Sequence, residues 1–284
     1  MEPPALVLPG EQPELALRAG RGVDVPLWVA GSLAGLAAPC VAIVGTRAPS
    51  GAGRRLARAT ARELAAAGVC IVSGLALGID AAAHEGALAA GAPTIGVLGG
   101  GHAKFFPKAN RQLAERIVAG GGAVVSPYAP EHDAYPHQFL ARNAIVAGLS
   151  DGVVVVEAAA RSGALNTASH AANLGLTVMA FPGDVDRAKV AGCLALLRDG
   201  ATLVRGAGDI LEAIGLEARA AAPARADLTA DEQAIVRALR DGELDFDSLL
   251  GRSGCLPGAL VARLVEMELR GVVESRTGGR YGLK

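Results

Sequence analysis

This 284-residue chain has few aromatic residues and no excess of either positive or negative charge beyond a single unit. Phe, Trp and Tyr make up 3% of the residues, and 27 Lys and Arg side chains are balanced by 28 Asp and Glu. The core must therefore be built from Ala, Val, Leu and Ile, with glycines letting backbones approach closely. Because the net charge is −1, no global positive field favours nucleic acid, and any cationic site must be local.

Long apolar runs and paired cysteines are also missing. No run of about eighteen uncharged apolar residues exists, so we expect no membrane span. The acidic, proline-rich N-terminus is unlike a signal peptide. The four cysteines, Cys40, Cys70, Cys193 and Cys255, form no Cys-x-x-Cys pair. We expect four reduced, mostly buried thiols in a cytoplasmic protein and no metal site.

Short apolar runs alternate with Gly-rich loops and helix-like segments from residue 41 onward. The runs are "VAIV", "VCIV", "TIGVL", "AVVS", "GVVVVE" and "TVMAF". Runs without polar alternation are typical of strands buried on both faces, and helices between them imply a parallel sheet. The pattern predicts the α/β class, with a Rossmann-like doubly wound, mostly parallel sheet over residues 41–215 that follows a lead-in segment at 1–40.

The last part of the chain has a different texture. Residues 216–226 form an Ala/Pro/Arg linker, and residues 227–284 predict a small winged-helix domain. There, Thr229 and Glu232 form a capping box that opens a helix to Arg240. Two more helices, at about 247–251 and 257–270, precede a hairpin. Nine basic and ten acidic residues follow from Arg225 onward, so a protein-contact or regulatory role is favoured no less than duplex reading.

The Gly-rich loops meet the requirements of no common nucleotide-dependent enzyme. The first loop, "GTRAPSGAG", lacks G-x-G-x-x-G, and no acidic residue ends the second strand, so the usual NAD site is excluded. No Gly-Lys pair exists for a P-loop, and no G-x-S-x-G elbow supports a nucleophilic serine. Asp80 and His84 share a helix face, but without a third ligand we interpret them as a helix cap and a packed histidine. We therefore predict a binding surface, with no enzymatic activity, no cofactor and no metal.

Cations and aromatic side chains are concentrated in the same loops. Arg47, Lys108 and Arg142 each follow a strand or begin a helix in the predicted fold. The same loops hold several of the chain's few aromatic residues, namely Phe105, Phe106, Tyr128, Tyr135 and Phe139. Basic groups interleaved with exposed aromatic rings are typical of single-strand binding, in which bases stack and phosphates pair with cations.

Six motifs together resemble the DNA-processing protein A (DprA/Smf) family, from about Pro26 to about Leu211. They are "VAIVGTRAPSGAG", "GVCIVSGLALGIDAAAHEGAL", "TIGVLGGG", "FFPKANRQLAERI", "FLARNAIVAGLSDGVVVVEAAARSGALNTASHAANLG" and "VMAFPGD". The last sixty or so residues resemble the family's winged helix. The resemblance implies a cytoplasmic homodimer that binds single-stranded DNA and loads a RecA-type recombinase during natural transformation.

Matching the family's motifs residue by residue gives a candidate site. The predicted DNA-binding residues are Thr46, Arg47, Ser50, Lys108, Phe139, Arg142, Asn143, Ser162, Gly163 and Thr167. Two positions depart from the family pattern. Ala144 stands where a second basic residue is common, and Leu77 where a larger polar or charged residue is frequent, so the local positive field is expected to be weaker.

An enzyme remains the principal alternative. Nucleoside-monophosphate phosphoribohydrolases use a related scaffold, in which a Gly-rich loop and a glutamate hydrolyse an N-glycosidic bond. Glu157, Ser162, Gly163 and Thr167 superficially suit that role, but "RSGALNT" stands in place of the signature Pro-Gly-Gly-x-Gly-Thr. A nucleotide-sensing module without catalysis would share the same cleft and stays open at this point.

Overall fold

The apolar runs predicted as strands form the centre of a nine-stranded sheet in the computed structural model. The structure describes residues 3–8, 11–18, 20–216, 229–239, 242–269, 272–276 and 279–283. The chain divides into two compact units, with the boundary after Ala218. Within the described residues, no helix is long and apolar enough to cross a bilayer.

The sheet of the first unit is mostly parallel, as predicted. Its strands are β1 (Ala5–Val7), β2 (Leu27–Gly31), β3 (Cys40–Val44), β4 (Cys70–Ser73), β5 (Thr94–Val97), β6 (Ala123–Ser126), β7 (Gly152–Val155), β8 (Thr177–Ala180) and β9 (Thr202–Leu203). They are ordered β1-β2-β6-β5-β4-β3-β7-β8-β9, and strands β3 to β9 pair in parallel. The strand order reverses between β3 and β7, which opens a crevice at their carboxyl ends.

Helices cover both faces of this sheet. They are α1 (Pro13–Ala16), α2 (Gly51–Ala66), α3 (Ile79–Ala89), α4 (Arg111–Ala119), α5 (Pro136–Gly148), α6 (Gly163–Asn173), α7 (Ala191–Arg198) and α8 (Ala207–Ala213). Val41 and Ile43 of β3 pack in the layer of α2, α3 and α8, whereas Ala42 and Val44 pack in the layer of α5, α6 and α7. Both faces of β3 are thus buried, which is why its sequence shows no polar alternation.

Small residues let the helices pack closely despite the shortage of aromatic side chains. At Gly86 of α3, a Cβ would lie 2.3 Å from the Arg58 carbonyl oxygen of α2. Ala57, Ala61 and Ala83 are fully buried near this contact layer. The α2–α3 interface therefore depends on glycine and alanine.

The lead-in segment predicted at 1–40 contributes to the sheet itself. Strand β2 pairs antiparallel with β6, and β1 pairs antiparallel with β2. Arg18 and Arg21 both form ion pairs with Asp151, which precedes β7. Burial alone would raise the pKa of Asp151, but the hydrogen bonds from Arg18, Cys40 and Arg21 lower it below its usual value. This segment is thus an integral part of the first unit.

The second unit has the predicted winged-helix layout. Its elements are α9 (Ala230–Ala238), β10 (Leu244–Asp245), α10 (Phe246–Ser253), α11 (Pro257–Leu269), β11 (Val273–Arg276) and β12 (Arg280–Leu283). The capping box of Thr229 and Glu232 is confirmed. A short strand, β10, adds to the predicted hairpin in the order β10-β12-β11. The predicted helix ends at Arg240 and Arg270, and the linker beyond Leu216, lie outside the described residues.

Candidate nucleic-acid interface

A cleft of about 410 Å³ lies at the carboxyl edge of the sheet, at the reversal of strand order. Eight of the ten predicted site residues line it, namely Thr46, Arg47, Phe139, Arg142, Asn143, Ser162, Gly163 and Thr167. They come from the loop after β3, from α5 and from the start of α6. The position agrees with the general rule that ligands of such sheets bind beyond the carboxyl ends of the strands.

The loop after β3 is held by its backbone. The Thr46 N–H donates to the Glu157 carbonyl at 2.7 Å, and the Thr46 carbonyl accepts from the Ile79 N–H at 3.2 Å. At Gly78, which has φ +90°, a Cβ would lie 2.4 Å from the Thr46 carbonyl oxygen. A glycine is required there both for its backbone conformation and for space. The loop is therefore fixed before any ligand arrives, and Arg47 is presented at the rim of the cleft.

Arg47 and Phe139 form a cation–π pair. The guanidinium carbon of Arg47 lies 5.4 Å from the centre of the Phe139 ring. Phe139 in turn contacts Phe106, with ring centres 5.7 Å apart and planes tilted by 54°. Arg47 is exposed and, among the residues that the structure describes, forms no ion pair with a carboxylate. Its charge is available to an anion, and the adjacent rings offer apolar surface.

Arg142 lies in the floor of the cleft and differs from the sequence interpretation. It was expected in a loop or at a helix start, but it lies in the middle of α5 and is 4% exposed. Its guanidinium donates to the carbonyls of Gly74 and Val97. Burial lowers the pKa of Arg142 to about 10, so the side chain remains protonated near neutral pH. Arg142 thus supplies a fixed positive charge to the floor of the cleft.

Asp80 accompanies Arg142 in the floor. Its carboxylate accepts from the backbone N–H groups of Gly74 and Ala76, at 3.1 and 3.3 Å. Burial raises the pKa of Asp80, although the charge of Arg142 opposes this rise. Asp80 therefore holds the loop after β4. The interpretation of Asp80 as a cap of its own helix is wrong, because Gly78 is the N-cap of α3 and no side chain caps this helix.

His84 is a packed histidine, as expected. It is fully buried, and its Nδ1 lies 2.8 Å from the Thr94 hydroxyl oxygen. Burial, followed by the charge of Arg142, lowers the pKa of His84 to about 3, so the ring is neutral. Over the described ranges, no group of three or more His, Cys, Asp and Glu side chains could hold a metal ion.

The amino end of α6 forms another part of the cleft lining. The Ser162 hydroxyl accepts from the Ala164 N–H at 3.3 Å. Asn143 of α5 donates to the Gly163 carbonyl at 3.1 Å and to Asn166 at 3.2 Å, which ties α5 to α6. A Cβ at Gly163 would have its nearest contact at 3.8 Å, so the backbone there is open to a ligand. The amino end of a helix carries partial positive charge and favours anions such as phosphate.

Two predicted residues lie outside the cleft. Ser50 caps α2, accepting from the Gly53 N–H at 2.9 Å, and donates its own N–H to Glu157 at 2.8 Å. Lys108 is exposed in a 3₁₀ turn, Lys108–Asn110, and lines an adjoining groove. Of the three predicted cationic side chains, the cleft therefore contains only the exposed Arg47 and the buried Arg142.

The loop aromatics differ in exposure and in the side chains they contact. Phe105 is 3% exposed and packs with Leu98 and Leu113, so it belongs to the core. Phe106 and Tyr135 are about half exposed. Tyr128 stacks on His132 with ring centres 4.9 Å apart, and Tyr135 stacks on His137 at 6.1 Å. Sequence reasoning missed both histidines, although "YAPEHDAYPH" places them two to four residues from a tyrosine.

In the described part of the winged-helix unit eight Asp and Glu side chains outnumber five arginines, including the exposed Arg237 and Arg252. Arg263 pairs with Glu266 at 2.7 Å, and Arg276 pairs with Glu243 and Glu274. On α11, the helix that would read a DNA groove, Val261 and Val265 are each about half exposed. With Glu266 and Glu268 also exposed on α11 and carboxylates in excess over arginines, the unit is unlike a phosphate-binding surface.

Comparison with known proteins identifies the family. The family model described as DNA recombination-mediator protein A matches residues 11–215, and that of the DprA winged helix domain matches residues 218–279. Protein Smf of Escherichia coli is 36% identical over 267 residues, covering 91% of this chain and 71% of that protein.

Two solved structures are similar to this chain over about two thirds of its length. DNA processing protein A (DprA) of Streptococcus pneumoniae superposes with a TM-score of 0.62 and 41% identity, covering 66% of this chain and 65% of that one. DNA processing protein A of Helicobacter pylori, reported with a unique single-stranded DNA binding mode, gives 0.60 and 31%, covering 66% and 85%. The chain spans about two thirds of the length of several relatives. It belongs to the DNA recombination-mediator protein A family, that of the DprA/Smf proteins.

Proposed function

We propose that the chain binds single-stranded DNA in the cleft between the loop after β3 and the amino end of α6. The observation that carries this proposal is the exposed guanidinium of Arg47 over the ring of Phe139, above the buried charge of Arg142. A cation beside an aromatic face can bind a phosphate and an unpaired base of the same strand.

The chemistry of the cleft favours unpaired bases. Phe139 and Phe106 present ring surface that an extruded base can stack on, whereas a duplex hides its base faces. Arg47 pairs with a backbone phosphate, and the amino end of α6 at Ser162 and Gly163 accepts the next one. Neither contact reads a base edge, so the binding is expected to tolerate sequence.

Binding of fluorescent oligonucleotides tests the proposal. At equal length and salt, we expect single strands to bind at least about tenfold more tightly than blunt duplex. Equal affinities would contradict the stacking role of Phe139 and Phe106. A competition between oligonucleotides of different sequence checks the expected tolerance.

The wider role rests on the family alone. We propose that the protein acts in the cytoplasm as a homodimer and loads a RecA-type recombinase onto incoming single-stranded DNA in natural transformation. Family membership supports this role. Recombinase filament formation on strands coated with a single-strand-binding protein tests it. No acceleration by the added chain would contradict the loading role.

The role we propose is non-catalytic. A phosphoribohydrolase would need Glu157 to reach a ribose, but this carboxylate accepts hydrogen bonds from Ser50 and lies 3.6 Å from Arg187. Glu157 is not among the residues that line the cleft. Incubation with adenosine monophosphate is expected to release no adenine. Release of adenine, lost in Glu157→Gln, would overturn the non-catalytic role.

A further inference from the structure

We propose that a groove beside the cleft is a second phosphate-binding subsite, which holds the same DNA strand after it passes over Phe106. The groove has a volume of about 670 Å³ and is lined by Lys104, Lys108 and Arg111, among other residues. The inference rests on the proposed single-strand binding and extends its path by residues that the cleft does not include.

The groove concentrates positive charge. Lys104, Lys108 and Arg111 are all exposed, and two of the chain's four lysines lie here. Within the described parts of the chain, neither lysine forms an ion pair, and Arg111 contacts only Glu115, at 3.7 Å. Asp133 is the acidic residue of the groove. The local balance therefore stays positive, although the whole chain has a net charge of −1.

Phe106 connects the groove to the cleft. Its ring lines the groove and also a small pocket of about 100 Å³ that it shares with Arg47, Phe139 and Arg142. Phe106 is 52% exposed and lies against Phe139. A strand whose base stacks on Phe139 can thus place its next base on Phe106 and its following phosphates among the lysines.

The cations are held in a fixed relation to the cleft. Asn110, the last residue of the 3₁₀ turn that Lys108 opens, donates from its side-chain amide to the carbonyls of Leu75 and Ala76, at 2.9 and 3.0 Å. Ala76 lines the cleft, and Arg111 follows Asn110 as the first residue of α4. The two subsites are therefore joined by direct hydrogen bonds rather than through a long loop.

Length-dependent binding tests the inference on the full chain. The variant is Lys104→Ala/Arg111→Ala, measured with oligothymidylates of about 4 to about 16 nucleotides, the usual span of single-strand sites. The shortest oligonucleotide, which fills the cleft, should bind the variant as it binds the parent. For the longest, affinity should fall by up to about 25-fold near 0.1 M salt, and the slope of log affinity against log salt should flatten by up to about 1.4.

A matched control removes two arginines elsewhere. Arg116, in the last turn of α4, and Arg198, in the last turn of α7, lie at helix ends that face away from the carboxyl edge of the sheet. Arg116→Ala/Arg198→Ala makes the same change in net charge and should preserve both the length dependence and the salt slope. Asp133→Asn should tighten binding of the longest oligonucleotide only.

The outcomes separate this inference from the proposed function. If the Lys104/Arg111 variant, shown to be folded by circular dichroism, binds long oligonucleotides as the parent does, the second subsite is wrong while the cleft stands. An equal loss in the matched control also overturns it, because the effect is then one of net charge. A parent that binds no single strand of any length contradicts the proposed function itself.

Discussion

The carboxylate of Glu157 accepts hydrogen bonds from both the backbone N–H and the hydroxyl of Ser50, 107 positions earlier in the chain. Ser50 is the N-cap of α2, so the amino end of this helix already holds a negative charge supplied by the protein. In Rossmann proteins the corresponding helix end binds a ligand's phosphate. The carboxylate of Glu157 thus takes the place of a phosphate at the Gly-rich turn, and the exposed side chain of Arg47 is the cationic group of this loop that remains for a ligand.

A double-mutant cycle tests the Ser50–Glu157 contact. Ser50→Ala and Glu157→Gln should each destabilise the protein, by about 1 and about 1.5–3 kcal/mol, since a cap and a charged hydrogen bond are lost. The double variant should be less destabilised than the sum, with a coupling of at least about 0.5 kcal/mol. Chemical denaturation measures the free energies of unfolding. Strict additivity would show that the two side chains stabilise the loop independently.

Removal of the Arg47 charge tests the cation of the cleft. Arg47→Ala should weaken binding to all single strands alike, because a phosphate contact carries no sequence information. The slope of log affinity against log salt should flatten by up to about 0.7, the value for one neutralised phosphate of a single strand. Titrations at several salt concentrations measure this slope. An unchanged affinity and slope would show that Arg47 does not bind phosphate.

Phe139→Ala provides the contrasting change. Loss of a stacking surface should weaken binding by about 1–3 kcal/mol. The salt slope should stay nearly constant, since no phosphate contact is removed. Phe139→Tyr keeps a ring and should restore most of the affinity. A variant with flattened slope would instead indicate that Phe139 acts by positioning Arg47, whose guanidinium lies over its ring.

The central sheet was accessible to sequence reasoning because its strands are buried on both faces. The uninterrupted apolar run of β3 leaves few alternatives, and the capping box of Thr229 and Glu232 depends on residues only three positions apart. Arg47 and Phe139 were identified from the concentration of cations and aromatic residues in the loops and again through family motifs, and both line the cleft. The local sequence pattern was sufficient to predict an element where the contacts that stabilise it are close in sequence, or where both of its faces are buried.

Non-local contacts account for the differences. Nothing in "LWVAG" indicates that β2 pairs antiparallel with β6, almost a hundred positions later. The sequence predicts Arg142 in a loop or at a helix start, and the carbonyls of Gly74 and Val97 that compensate its burial come from distant parts of the chain. Ser50 has a side chain suited to phosphate, but its partner is Glu157. Such pairings are set by the three-dimensional arrangement.

Deletion of residues 222–284 tests the role of the winged helix. Most single-strand binding should remain, because Arg263 and Arg276 are already paired with carboxylates and acidic side chains outnumber arginines in the described part of the unit. The residues up to 218 form their own compact unit, so the truncated chain is expected to fold. Affinity for a single strand is compared before and after deletion. Near-total loss of binding by a folded truncated protein would show that the assignment of the binding site to the first unit is wrong.

The pH dependence of stability should report the burial of His84. Its pKa is about 3 in the folded protein and about 6.5 when unfolded, so between these values only the unfolded state takes up the proton. Stability should therefore fall as the pH drops below about 6.5, by about 1.4 kcal/mol per pH unit from this residue.

His84→Gln isolates this effect from other titrating groups. The variant should be less stable than the parent near pH 7, because the hydrogen bond between His84 and Thr94 is lost at a cost of about 1 kcal/mol or more. On acidification to about pH 5 the parent should lose about 2 kcal/mol relative to the variant, since glutamine has no proton to gain, so a difference of about 1 kcal/mol near pH 7 would reverse in sign. Carboxylates such as Asp151 titrate in both proteins and cancel in the comparison. Urea unfolding at a series of pH values measures both curves. A stability difference that stays constant from neutral to acidic pH would mean that His84 titrates normally and is reached by water in the folded protein.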